Sequence, residues 1–138
     1  MLEVEPQLIE QFVRTGKARL IYRHLAQIGE QSLVAAEAMH CAAETGHFWE
    51  MRATIYERQN DLLGAGSIAG GLQFLAKELG IDETAFGSCL QEQRYRAVVQ
   101  ADIAASTAIG IRSRPAFDVN GTRLIGLQRL ENFARLMK

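Results

Sequence analysis

Asn120-Gly121 is the strongest local instruction in this chain. A two-residue turn of this composition accepts the left-handed backbone that matches the twist of two antiparallel strands. It follows Pro115-Ala116-Phe117-Asp118-Val119, which alternates in polarity, and precedes Thr122 to Ile125, which reads as the return strand. Leu127, Leu130, Phe133 or Ala134, and Met137 then supply the apolar stripe of a closing helix. The C-terminal third is therefore a hairpin followed by a helix.

Upstream the hydrophobic period is helical. Val4, Leu8 and Phe12 recur every four residues, Pro6 suits the first turn of such a helix, and Gly16 reads as its stop. Lys17 to His24 reads as a short strand between Gly16 and Gly29. Ser32 is a candidate N-cap for an Ala-rich helix from Leu33 to Glu44, which Gly46 breaks. A second helix is expected over His47 to Asn60. Leu63 to Gly71 contains Gly64, Gly66, Gly70 and Gly71 and argues for a turn or mobile connection. Leu72 to Leu79 resumes the helical pattern and Gly80 ends it. Asp82 is a cap candidate for a short helix carrying Phe86 and Leu90. A longer helix follows from about Gln93 to Ile109. The order is helix, strand, helical block, hairpin, helix.

Composition bounds the function classes. A chain of 138 residues, 48% hydrophobic and 22% charged, is one ordinary globular domain. A net charge of -1 provides no bulk field to recruit phosphates, so neither nucleic acid nor a polybasic membrane contact is expected. No apolar run approaches the ~20 residues needed to span a bilayer. Met1 to Glu10 carries three Glu and no Lys or Arg, unlike a signal peptide, so a reducing cytoplasm is the expected compartment.

Chemistry-bearing residues each carry a functional and an ordinary reading. Cys41 and Cys89 lie on separate predicted helices; the ordinary reading is two small buried thiols, and the alternative is a structural disulfide. His40, Cys41 and His47 suggest a metal, but Gly46 separates them and no H-E-x-x-H pattern is present, so partly buried or surface histidines are expected, His24 included. Phe48 and Trp49 read either as a contact patch or, more commonly, as filling between helices. Arg112, Arg114 and Arg123 could converge on an anion beside the hairpin, against the plainer reading of a solvated edge. There is no phosphate loop and no nucleophile elbow, and no cofactor or metal is expected.

In their order and spacing these segments resemble the DsbA-like branch of the thioredoxin superfamily. The resemblance rests on Val4-Glu5-Pro6, Thr15 to Arg23, Ala35-Ala36-Glu37-Ala38, Gly46 to Met51, Gly110 to Phe117 and Val119-Asn120-Gly121. It implies an α/β, thioredoxin-like fold in one domain, 1–138, with a large helical insertion over about 32–109 and a C-terminal hairpin plus helix. It also implies a cis bond before Pro115, on a strand whose backbone takes up extended peptide. Arg114 stands where the family carries Thr or Val, and Arg114, Pro115 and Phe117 define the candidate peptide-binding surface.

Family members carry a first strand ending in Cys-x-x-Cys, where a helix N-terminus activates the attacking thiol. Met1 to Glu5 contains no thiol, so the small sheet is expected to lack that strand and the chain to be redox-inactive, a binding or assembly module. Without a strand between them, Lys17–His24 and the Pro115 strand each keep an unpaired edge. Direct pairing, a second copy, or a strand-donating partner would repair it; a homodimer is expected. The alternatives are a truncated thiol–disulfide oxidoreductase and a glutathione-dependent transferase or isomerase relative.

Overall fold

The computed structural model describes residues 3–25 and 29–137. They form two compact units, one made of the residues up to Arg23 together with those from Ser106 onward, the other of His24–Ala105.

The His24–Ala105 unit is helical. It contains α2 (Gly29–Ala43), α3 (Phe48–Glu57), α4 (Gln59–Gly64), α5 (Ile68–Glu78), α6 (Glu83–Gln91) and most of α7 (Arg96–Ala108). Local chemistry sets most of its boundaries. The Asp82 carboxylate accepts from the backbone N–H groups of Thr84 and Ala85, at 2.8 and 3.1 Å, and so starts α6. Gly46 and Gly80 take left-handed φ values of 79° and 78° after α2 and α5, which lets the following amides of His47 and Ile81 return to the carbonyls of Ala42 and Ala76. Ala38, Met39, Ala42, Met51, Ile55, Leu72, Leu75, Phe86 and Val99 fill the core.

Three expectations change here. Ser32 lies inside α2, which starts at Gly29, so it is no cap. The expected helix over His47–Asn60 is two helices that break at Arg58. The glycine-rich stretch is mostly helical: α4 runs to Gly64, Ser67 caps α5 by accepting from Gly70 N–H, and only 65–67 turn. Gly71 is small for packing reasons, since a Cβ there would lie 2.9 Å from Leu62 Cδ2.

Two cross-links tie α2 to its neighbours. Cys41 on α2 is disulfide-bonded to Cys89 on α6, with a Cα–Cα distance of 5.9 Å. The reading of two free thiols is therefore corrected: α2 and α6 pack side by side and bring both sulfurs to one place. Glu37, 1% exposed, receives both arms of the Arg96 guanidinium at 2.8 and 2.9 Å, and Arg96 also donates to Glu30 at 2.7 Å. These bonds hold the Arg96 pKa above its usual value.

In the other unit, α1 (Val4–Leu8) continues into a π-helical turn at Ile9–Val13 and packs against α8 (Leu130–Leu136). The hairpin is β1 (Ala116–Val119) and β2 (Thr122–Ile125), with Ala116 opposite Ile125 and Val119 opposite Thr122. Asn120 and Gly121 take φ values of 47° and 85°, as a two-residue turn requires. α8 begins later than the apolar stripe suggested. Gln128 donates to the Ile125 carbonyl and accepts from Asn132, which places Arg129 at the cap and leaves Leu127 77% exposed.

The expected strand over Lys17–His24 is not formed. Residues 18–25 belong to neither helix nor strand, and among the described residues the sheet has two strands, β1 and β2. A strand exists only through its neighbour's hydrogen bonds, and none of the described residues offers this stretch a ladder.

Candidate functional site

The site singled out from sequence lies at the start of the hairpin. The Arg114–Pro115 bond is cis. The Pro115 carbonyl accepts from Gly126 N–H at 2.8 Å, so the ladder extends one pair beyond the strands proper. In an antiparallel pair successive residues direct their backbone groups alternately toward the partner and away from it. Pro115, Phe117 and Val119 bond across to β2, which leaves the N–H and C=O groups of Ala116 and Asp118 along the outer edge of β1. Among the described residues no further strand covers that edge.

The side chains divide the same way. Phe117 meets Phe133 edge-to-face, with ring centroids 4.9 Å apart, and Phe133 is buried. Phe117 thus fixes the hairpin onto α8. The opposite face carries Ala116 and Ile125, the latter 60% exposed, beside Asp118 and Arg123.

Of the three arginines, Arg123 is taken up by neighbours within the protein. Arg123 grips Asp118 through two bonds of 2.8 and 3.0 Å and donates to the Ile109 carbonyl at 2.7 Å, just past the end of α7. The guanidinium holds the Asp118 pKa below the usual carboxylate value. Arg112 and Arg114 are exposed. The commitment of Arg123 to a carboxylate favours the solvated edge over the anion reading.

In the helical unit His24 departs from expectation by being buried, whereas His40 and His47 are partly buried. His24, 2% exposed, faces His40 with an Nε2–Nε2 distance of 2.8 Å, and its backbone N–H donates to Asp102 Oδ2 at 3.3 Å. Burial lowers the His24 pKa to about 4, with His40 and Arg52 adding to the shift and Asp102 opposing it. Burial also lowers that of His40. His47 is apart from this pair; its ring meets Thr45 and Glu50. Among the described residues no group of His, Cys, Asp or Glu is arranged to hold a metal. Sequence reasoning missed the His24–His40 contact, and no local signal reveals it, because the partners are 16 residues apart.

Phe48 packs edge-on against His40, whereas Trp49 is 43% exposed and lies under the Arg52 guanidinium, which also stacks on Tyr56. Filling between helices therefore describes Phe48 but not Trp49.

A small antiparallel hairpin entered through a cis-proline, packed on a closing helix and accompanied by a helical unit, is a thioredoxin-like arrangement of mixed α/β class. The chain belongs to the thioredoxin family, whose family model matches residues 1–138. It is also similar to proteins named Na(+)/H(+) antiporter NhaA. NhaA 3 of Salinispora tropica is 30% identical over 131 residues, 94% of this chain and 19% of that protein. NhaA of Nitrosospira multiformis is 31% identical over 116 residues, 80% of this chain and 17% of that protein. The chain thus spans about a fifth of the length of the curated relatives it matches. Among the described residues no helix is long and apolar enough to cross a membrane.

Proposed function

We propose that residues 1–138 form a DsbA-like thioredoxin-fold module that binds an extended peptide segment along the outer edge of β1 and performs no dithiol chemistry of its own. The observation that carries this reading is the state of the cysteines. The chain has two, and they are buried and bonded to each other on α2 and α6. A thiol–disulfide exchange needs an accessible thiolate. Neither sulfur is accessible, and both belong to the helical unit, whereas the cis-proline edge belongs to the other.

In this reading the ligand backbone pairs with Ala116 and Asp118, each bond contributing a net ~1 kcal/mol. Arg114 and Pro115 flank it, and Phe117 holds the strand in place from behind. The domain is one, 1–138, with the helical insertion over about 32–109. In the isolated chain a second copy fills the edge and makes a homodimer. In a longer protein a strand from outside these residues fills it; the likeness to proteins named Na(+)/H(+) antiporter, about a fifth of whose length this chain matches, supports a membrane transporter as the neighbour of such a module. The module stands on the cytoplasmic side, where burial must shield the Cys41–Cys89 bond; thiol trapping directly from cells tests that placement, and a fully oxidised pair would favour an oxidising compartment.

A second reading is a thiol–disulfide oxidoreductase whose reactive cysteines lie outside 1–138. Family membership and the small share of the relatives that is matched favour it. Insulin reduction with the purified 138-residue chain separates the two. The binding module gives the uncatalysed rate, elutes as a dimer under light scattering, and becomes monomeric as Ala116→Pro, which removes an outward N–H and spares the ladder to β2. Catalysed turnover, or a strict monomer at high concentration that binds no extended peptide, overturns the first reading.

A further inference from the structure

We propose that His24 and His40 form a proton-operated latch that closes the start of the helical unit at neutral pH and opens it in acid. The geometry carries the inference. Two imidazole Nε2 atoms 2.8 Å apart share one hydrogen: one ring donates, the other accepts through its lone pair. A proton taken from solvent by the accepting Nε2 removes that lone pair, and the contact becomes N–H against N–H. That hydrogen bond is then lost, and one imidazolium stands against the N–H of a neutral ring, with His24 buried and His40 half-buried.

Among the described residues, groups from four parts of the unit bear on the protonation of the pair. From α2 comes His40 itself, from α3 Arg52 and Phe48, from α7 Asp102, and just before α7 Tyr95, whose ring stacks on His40 with centroids 5.4 Å apart. Arg52 resists a second positive charge, and the aromatic rings exclude the water that would solvate it. Asp102 alone favours protonation, and its Oδ2 also accepts the His24 backbone N–H. The pair therefore stays closed while neutral, and the carboxylate beside it offsets part of the effect of burial.

The direction follows from linkage. An opened His24 regains its ordinary pKa of 6.5, while the closed one sits near 4. The open form then binds protons that the closed form refuses, and opening becomes more favourable as pH falls from 6.5 toward 4. At pH 5 the shift amounts to roughly 20-fold in the open/closed ratio relative to neutral pH.

The full chain tests this. Ring resonances of His24 and His40, assigned with His24→Asn and His40→Gln, are followed by NMR from pH 7.5 to 4, alongside hydrogen exchange over 29–43 and the emission of Trp49, the sole tryptophan, which meets Phe48 edge-on at 5.2 Å. The latch gives imidazoles that stay neutral well below 6.5 and then a joint change in exchange and emission. His40→Gln, which keeps a hydrogen-bonding group and loses the charge, flattens that change or leaves the segment open at neutral pH. Two rings titrating independently near 6.5 in the wild type would overturn the proposal, even if a variant fails to fold. So would a His40→Gln protein that retains the wild-type acid response.

Discussion

The two units solve the same problem by different means. Within His24–Ala105 the buried Glu37 and His24 are answered inside the unit, Glu37 by Arg96 and His24 by His40 and Asp102, and α2 is bonded covalently to α6. The unit built from the two ends of the chain leaves its accounts open. Its hairpin has an outer edge uncovered by any described strand, and Ile21, Ile125 and Leu127 are 58%, 60% and 77% exposed. A helix satisfies its backbone internally, so a helical unit can be complete with few neighbours; a strand cannot, so a two-stranded sheet advertises what it lacks. The difference teaches that the buried cross-links gather in one unit and the uncovered strand edge in the other.

The largest expected effect breaks the covalent half of that contrast. Replacing both cysteines, as Cys41→Ala with Cys89→Ala, frees a loop of 48 residues in the unfolded chain and costs about 4 kcal/mol on the chain-entropy account. Denaturant midpoints measure the loss, and hydrogen exchange locates it. The loss is expected within 24–105; an equal loss of protection in the hairpin would mean that the units are not energetically separate.

Next in size is the buried ion pair. Arg96→Met leaves the Glu37 carboxylate with no partner at 1% exposure and is expected to cost about 3 kcal/mol. The double substitution Glu37→Met with Arg96→Met is expected to recover most of that, because the expense lies in the orphaned charge. If the double variant is as unstable as the single one, packing and not charge is what Arg96 supplies.

What could be read from sequence was local. Asn120-Gly121, Asp82, Gly46 and Gly80 each act through their own φ or their own side chain, and each stands where expected. The candidate strand at Lys17–His24 did not, since its composition permits a strand but only a neighbour makes one. Gly70-Gly71 looked like a turn and is helix capped by Ser67, with Gly71 beside Leu62. The site was legible to the same degree. Pro115 and the hairpin were placed by pattern, whereas the support of Phe117 by Phe133, the capture of Arg123 by Asp118, the Cys41–Cys89 bond and the His24–His40 contact all depend on which helix or strand lies opposite.

The smallest effect probes the open unit. Asp118 and Arg123 are paired across β1 and β2 on the exposed face, where solvent weakens the attraction, so Asp118→Asn is expected to lower Tm by no more than roughly 2 °C. The sign of its pH dependence is fixed. The folded carboxylate has a pKa below its ordinary 3.8, so the contribution is fully present above 3.8 and fades as pH falls through the depressed value. Wild type and Asp118→Asn should therefore differ slightly at neutral pH and converge in strong acid. Arg123 also donates to the Ile109 carbonyl, a bond that survives in Asp118→Asn and goes in Arg123→Ala. A larger loss in Arg123→Ala than in Asp118→Asn would show that the hairpin is held chiefly by its tie to the end of α7. Equal small losses would leave Phe117 on Phe133 as its main anchor, and the outer edge of β1 free to respond to whatever binds it.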